Sequence, residues 1–420
     1  MSTATSPSAG EQIVEPQLGV GAAVRDYVDR VRGGDVGSLP AVLGLAALTI
    51  VFSVLRPETF TNAFNFANLI NQASAVIVIA MGLVFVLLLG EIDLSAGFTA
   101  GTSGAVMAIV VTRQDRPWPL AVLAGLVTGA VIGACIGLLV ARLGIPSFVV
   151  TLALFLGLQG VLLKLIGEGG TIPLRDETLL ELNNGTLPVA LGWVLVAGVV
   201  LAYAGVSVRR AQTRHADGLH ADALSVVLTK VLVLTVLLAA ATVYLSQERS
   251  RNPAVTSIKG MPVVVVLLLV LLVLLNFVLG RTSFGRHVYA VGGNAEAARR
   301  SGINVQRIRL SCFVIASTMA AVAGLLLASR NNSISPTTGG AETLLYAVGA
   351  AVIGGTSLFG GKGKMLDAVL GGLVIAVIIN GMGLLNQPSS VVFMVTGLVL
   401  LVAASVDALS RKRAAATGRV

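Results

Sequence analysis

The chain has 420 residues, of which 55% are hydrophobic and only 12% charged, and its 29 Lys and Arg exceed its 20 Asp and Glu for a net charge of +9. Soluble domains are about a quarter charged, so no soluble surface can be built from this composition, and the apolar content excludes a disordered chain. The basic residues lie between apolar runs and only 5% of residues are aromatic, which argues against a nucleic-acid surface and for a lipid bilayer as the partner of most of the chain.

In chain order, residues 1–38 are polar and carry Pro7, Pro16, Gly33, Gly34 and Gly37. They lack an apolar stretch behind a basic start, so they read as a cytoplasmic tail rather than a cleaved signal. A helix that crosses a bilayer needs about twenty apolar residues. Uncharged runs occupy 39–55, 69–90, 94–112, 117–141, 143–163, 182–208, 223–247, 260–280, 310–329, 343–361 and 368–406. Only Lys230 interrupts the seventh, and a lysine can reach the interface along its own aliphatic stem. Asn386-Gln387-Pro388 splits the last run in two. Pro40, Pro119, Pro146, Pro188, Pro262 and Pro388 fall near helix starts, where a missing N–H leaves no bond unmade. The prediction is an all-α integral membrane protein: a polytopic bundle of about 12 (10–14) transmembrane helices in one domain over 39–410, followed by a basic tail, 411–420.

Charge orients the bundle. With the N-terminus inside, the arginine-rich loop 281–309 and Arg411-Lys412-Arg413 fall inside. The loop 167–186, with Glu168, Asp176, Glu177 and Glu181 against Arg175, falls outside. Basic residues favour the cytoplasmic side, so both termini are expected to be cytoplasmic. Gly125, Gly129, Gly133 and Gly137 repeat at four-residue spacing in one run. Small residues let helix backbones approach closely in lipid, either within this bundle or across a dimer face. Cys135 and Cys312 sit in apolar runs and read as buried fillers. His215, His220 and His287 read as polar-loop residues, and no metal site is expected.

Three segments depart from the apolar rule. Gly90-Glu91-Ile92-Asp93-Leu94-Ser95-Ala96-Gly97 places two carboxylates and a serine between apolar runs. Gly354-Gly355-Thr356-Ser357-Leu358-Phe359-Gly360-Gly361 coincides with it at both end glycines and at Leu94/Leu358. Paired broken segments point to a transport site at mid-membrane, so Gly90, Glu91, Asp93, Ser95, Gly97, Gly354, Gly355, Thr356 and Ser357 are candidate substrate-pathway residues. Carboxylates and hydroxyls suit a neutral polyol. The alternative reads Glu91 and Asp93 as a short charged cytoplasmic loop.

The third segment is 281–309, with six arginines and one glutamate. Asn294 is a good N-cap, Glu296 and Arg300 pair at i,i+4, and Gly302 suits the left-handed position after a helix. A two-turn helix is marginal alone in water, so it docks on a partner or rests on lipid headgroups. No catalytic motif emerges. Gly360-Gly361-Lys362-Gly363 fails as a phosphate loop, because Thr356 replaces its first glycine and Gly363 follows the lysine.

These residues resemble the permease subunits of bacterial ABC sugar importers of the ribose/xylose type. The resemblance is carried by Gly90–Gly97, by Gly144-Ile145-Pro146-Ser147-Phe148-Val149-Val150-Thr151-Leu152, by Phe284-Gly285-Arg286-His287-Val288-Tyr289-Ala290-Val291-Gly292-Gly293-Asn294, and by Val352-Ile353-Gly354-Gly355-Thr356-Ser357. An extra segment over 206–260, followed by Met261-Pro262, is similar to the xylose type. Glu91 stands where many relatives have glycine. The resemblance implies a multi-pass permease of the inner membrane that carries a pentose or similar monosaccharide, works as a homodimer, and receives sugar from an extracytoplasmic binding protein. It binds no cofactor itself; cytoplasmic ATPase subunits hold ATP and Mg. The ATPase-coupling segment then maps onto Asn294, Glu296, Ala297, Ala298, Arg300 and Gly302. Rival expectations are a secondary sugar transporter and a membrane-embedded enzyme acting on lipid-linked sugars.

Overall fold

The computed structural model describes residues 37–216, 224–250, 252–255 and 257–416, with positions 21, 25 and 28. Most of the expected tail 1–38, His220 and the last four residues lie outside the described residues. So do the side chains of Arg411, Lys412 and Arg413.

The elements are α1 (Leu39–Leu55), α2 (Pro57–Phe60), α3 (Ala63–Leu88), α4 (Ala96–Ala108, prolonged by a π-helical turn, Ile109–Arg113), α5 (Trp118–Ala141) and α6 (Ser147–Ile166). Then come β1 (Ile172–Pro173), α7 (Glu177–Asn184), α8 (Val189–Ala216), α9 (Leu224–Leu245), α10 (Val264–Arg281), α11 (Ser283–Gly293), α12 (Ala295–Arg300) and α13 (Val305–Asn331). The chain finishes with β2 (Ser333–Ile334), α14 (Ala341–Gly354), α15 (Met365–Leu384) and α16 (Ser389–Ala416). Among the described residues nine helices are long and apolar enough to cross a membrane; α1 and α14 are apolar but shorter. The number of crossings read from the runs, about twelve, is therefore not fixed by helix length alone.

Two runs divide differently from expectation. The run 182–208 contains the end of α7, a break at 185–188, and α8. The run 343–361 is helical only to Gly354. His287 lies on α11 rather than in a loop, and the backbone at His215 is still helical. Cys312 is buried as expected, but Cys135 is exposed on the outward side of α5. The glycine row of α5 serves packing within the bundle, because Gly129, Gly133 and Gly137 lie against Ser317, Phe313 and Leu310 of α13.

The inside of the bundle is α3, α13 and α15, with 83%, 56% and 72% of their apolar windows buried, whereas α8, α9 and α16, with 11%, 17% and 6%, form a lipid-facing rim. The loops sort into two ends. At one, Ile172 pairs with Ile334 and Pro173 with Ser333, and Thr186 bridges to Pro262. At the other, Leu88, Gly292 and Gly361 converge.

Two crossings are interrupted midway, and helix register shows it. Glu91 pairs with Arg309 near the start of α13, while Ala100 lies against Gly324. Fifteen residues of α13 separate those two points, about 22 Å of helix; the nine residues from Glu91 to Ala100 would rise only about 13 Å as helix. Residues 90–95 therefore climb as irregular chain, and α4 starts at mid-depth. The second interruption mirrors it from the opposite end. Ile334 touches Gly104, the Thr338 carbonyl touches Gly101, and the Gly339 and Gly340 carbonyls touch Gly97. Residues 335–340 thus descend alongside α4, and α14 begins where α4 begins.

The backbones meet along this seam with no room for side chains: a methyl on Gly324 would overlap the Ala100 carbonyl oxygen, whereas one on Gly198 of α8 would meet open space. Gly324→Ala is expected to lower stability by about 1–3 kcal/mol through overpacking. Gly198→Ala should leave it unchanged or raise it slightly, since alanine favours a helix interior. Thermal unfolding in detergent compares the two, and equal midpoints would contradict the seam.

Candidate functional site

Three places along the bundle carry polar groups that packing alone does not require. The first is a cleft of about 800 Å³ at the β1–β2 end, between the start of α3, the end of α15 and the loop after α9. Five amides line it, Asn62, Asn65, Asn68, Gln72 and Asn380, with Glu58 and Arg249 as charged neighbours and Phe64, Ile258, Ile379 and Leu384 as apolar wall. Asn65 and Asn380 face each other, each amide N–H donating to the other's Oδ1 at 2.9 Å. The oxygens Asn71 Oδ1 and Gln72 Oε1 are buried without a partner. The Arg249 guanidinium is held by the carbonyls of Leu245 and Gly260. Its loop is gathered by Glu248, which accepts from Ser257 Oγ and from the N–H groups of Arg249, Ser250 and Ile258. The bond from Ser257, then those from Ile258 and Ser250, hold the Glu248 carboxyl down at about 2.

The second place is the seam. Asp93 and Ser95 are 1% and 0% exposed. Asp93 Oδ1 accepts from the Ser95 N–H at 2.9 Å and the Ser95 hydroxyl at 2.6 Å, so the carboxylate organises the first turn of α4. Asp93 Oδ2 and Thr99 Oγ1 are buried without partners. Gly97 touches Gly339 and Gly340 across the seam.

The third place is the opposite end, and here the sequence expectation needs correction. Gly354, Gly355, Thr356 and Ser357 do not form the second mid-depth break. Because α14 starts at mid-depth, its 14 residues, about 21 Å of helix, bring it to the end of the bundle by Gly354. The partner of 90–95 at mid-depth is 335–340. The Gly354–Gly361 turn instead lies against Gly90, through Phe359 and Gly360. The Gly361 N–H donates to the Leu88 carbonyl at 2.9 Å, and the Tyr289 hydroxyl donates to the Gly363 carbonyl at 2.6 Å. Gly292 of α11 sits so close that a methyl there would overlap the Leu88 carbonyl oxygen.

The four motifs that carried the resemblance converge on this end. Ser147 and Thr151, one turn apart at the start of α6, clamp Ile92: its N–H donates to Ser147 Oγ at 3.2 Å and its carbonyl accepts from Thr151 Oγ1 at 3.3 Å. Glu91 has a partner, since its Oε1 lies 3.1 Å from Arg309 Nε.

The helix expected at 294–302 is α12. Asn294 Oδ1 accepts from the Ala297 N–H at 2.9 Å. Glu296 pairs with Arg299 and Arg300 at 2.9 and 3.1 Å, and those bonds hold its carboxyl below the usual carboxylate range. Gly302 has φ +88°. Ala298 is buried and anchors the helix, while Glu296, Ala297, Arg299 and Arg300 face outward. Sequence reasoning missed α11, the 335–340 stretch and the amide cleft. The signals were present: Pro336 with Gly339-Gly340 before an apolar run, and Asn62, Asn65, Asn68 and Asn71 recurring every three residues, the first three just ahead of the run 69–90.

Among the described residues no group of three or more His, Cys, Asp or Glu could hold a metal ion. Residues 65–404 match the family described as branched-chain amino acid transport system / permease component. The chain is 36% identical to the xylose transport system permease protein XylH of Escherichia coli K12 over 372 residues, 89% of this chain and 92% of that protein. It is 35% identical to XylH of Haemophilus influenzae over 376 residues, 89% and 96% of the two chains. It is 28% identical to the ribose import permease protein RbsC of H. influenzae over 366 residues, 87% and 91%. No solved structure matches the chain. The chain is a multi-pass helical membrane protein and belongs to this family of transport-system permease components.

Proposed function

We propose that this chain is the permease subunit of an ATP-driven ABC importer in a bacterial inner membrane, with both termini cytoplasmic, and that it carries a pentose or similar monosaccharide, xylose-like in its hydroxyl pattern. The observation that carries the reading is the placement of the amide cleft and the α11–α12 hairpin at opposite ends of one interrupted bundle. Neutral amides donate and accept in the same small space, as a neutral polyol requires. The names of the relatives, xylose and ribose permeases, support the same substrate class.

In this reading an extracytoplasmic binding protein delivers sugar to the cleft at Asn65, Gln72 and Asn380. The seam blocks the path at mid-depth. When it parts, Asp93, Ser95 and Thr99 and the first N–H groups of α4 and α14, which have no intrahelical partner, become available to sugar hydroxyls. Gly90, Glu91, Gly354, Gly355, Thr356 and Ser357 close the inner end of the route. A cytoplasmic ATPase, which alone holds ATP and Mg, grips Glu296, Ala297, Arg300 and the turn at Gly302, with Asn294 and Ala298 holding the helix in place. Motion of α12 moves α11, and Gly292 transmits it to Leu88 and Gly360 without an intervening side chain. The permease acts as a homodimer with one such hairpin per subunit. A secondary transporter would have no use for an outward-facing α12.

Uptake of labelled xylose into vesicles containing the permease, its ATPase and its binding protein tests both ends. Asn380→Leu is expected to raise KM about tenfold, the cost of one lost hydrogen bond in a cavity, with insertion unchanged; unaltered uptake would contradict the cleft. Glu296→Arg and Gly302→Pro are expected to abolish ATP-driven uptake while the chain remains inserted, and normal rates in either would contradict the coupling role.

A further inference from the structure

Glu342 is the second residue of α14 and stands immediately before the apolar run 343–361. Because α14 begins at mid-depth, its first turn is there too: a methyl on Gly97 would lie 3.1 Å from the Leu344 Cβ, two residues further on. Most of α14 is enclosed, with Leu344, Tyr346, Ala347 and the stretch 349–354 buried. The exception is one side of its opening turns, where Ala341, Glu342 and Leu345 are exposed, Leu345 by 61%.

The chemistry of that side is unlike the lipid-facing rim. Ionisable residues inside a membrane almost always face the bundle interior or a water-filled cavity. Two features suit a carboxylate to this place. The first turn of a helix favours an acidic side chain through the helix dipole, and the Tyr346 hydroxyl donates to Glu342 Oε1 at 2.8 Å. One hydroxyl leaves most of the accepting capacity of the two oxygens unused. A helical side chain leans toward the N-terminus, so the carboxylate stands beside the first N–H groups of α14, which have no intrahelical partner. Donors and an acceptor thus adjoin each other at one depth, as the hydroxyls of a neutral sugar require.

On the reading of this chain as a monosaccharide permease, we infer that Glu342 contacts the sugar: its carboxylate accepts from the sugar hydroxyls at mid-depth, and the exposed side of the first turns of α14 lines a water-filled stretch of the route. Hydrogen bonds to an ionised acceptor are stronger than those to a neutral amide, so Glu342 holds the sugar once it has left the amides of the outer cleft.

The test uses the full-length permease with its ATPase and binding protein, with Cys135 and Cys312 replaced. ATP-driven xylose uptake by this parent in sealed vesicles checks the permease reading separately, and absent uptake would count against that reading. In membranes open on both faces, Glu342→Cys should be modified by a charged, lipid-insoluble thiol reagent, and millimolar xylose should slow the modification severalfold. Leu201→Cys, on the rim helix α8 and 71% exposed, should not react. The inference is overturned by no modification of Glu342→Cys, by a disulfide joining that position in two copies in place of labelling, or by labelling that xylose leaves unchanged. Uptake separates contact from support. Glu342→Gln should lower the uptake rate about tenfold, the loss of one hydrogen bond to a charged group. Glu342→Asp should recover most of that loss, and Tyr346→Phe, which only frees Oε1, should cost far less. Equal losses in Glu342→Gln and Tyr346→Phe would make Glu342 a brace for Tyr346 and overturn the contact.

Discussion

A polar backbone that leaves its helix inside a bilayer has no water to turn to. That constraint governs the centre of this molecule. On the rising strand, residues 90–95, the Ile92 N–H and carbonyl are met by the hydroxyls of Ser147 and Thr151, and the Ser95 N–H by the Asp93 carboxylate. On the descending strand, the Ser335 N–H is met by Thr338 Oγ1, and the Thr338 and Gly340 N–H groups by the carbonyls of Ser335 and Thr337. Short polar side chains and tight turns do locally what a helix would have done. Close packing of Gly97, Gly101 and Gly324 then keeps lipid and water away.

The consequence is mechanical. A continuous helix is stiff, whereas α4 and α14 each end at a short irregular connection. Each can tilt as a half-length rod about its own connection without breaking internal hydrogen bonds. The connection before α4 is fixed at its lower end to α6, α13 and the Gly360–Gly361 turn, and α11 touches that same junction through Gly292. In the proposed cycle a displacement delivered to α12 thus reaches mid-depth through backbone contacts, with few soft side chains in the path.

Much of the bundle was legible in the chain because lipid imposes a length and an apolarity that simple counting detects. Expected boundaries such as 39–55 and 117–141 lie within a residue of α1 and α5. The α12 helix was legible for a different reason: its cap, ion pairs and terminal glycine are all local signals. The seam was only half legible. Glu91 and Asp93 announce one interruption because charges stand out in an apolar chain. Ser335-Pro336-Thr337-Thr338-Gly339-Gly340 carries none, and reads as an outer loop until the register against α4 is known. Matching Gly90–Gly97 with Gly354–Gly361 followed a resemblance of residue types, whereas the true pairing is a matter of depth. The cleft escaped because Asn62, Asn65 and Asn68 fall just ahead of the counted run 69–90 while Gln72 and Asn380 sit unmarked inside two separate runs, and their convergence is created by tertiary packing of α3 on α15.

The seam at mid-depth is the central claim, and its accessibility tests it most directly. Thr338 is 8% exposed. With Cys135 and Cys312 replaced, Thr338→Cys in sealed vesicles can be challenged from outside with a membrane-impermeant thiol reagent, first without nucleotide and then with the partner ATPase held in its ATP-bound state. The account predicts protection in the first condition and labelling in the second. Labelling at the same rate in both would mean that residue 338 lies in an ordinary outer loop, and that the crossings are not interrupted where this structure interrupts them.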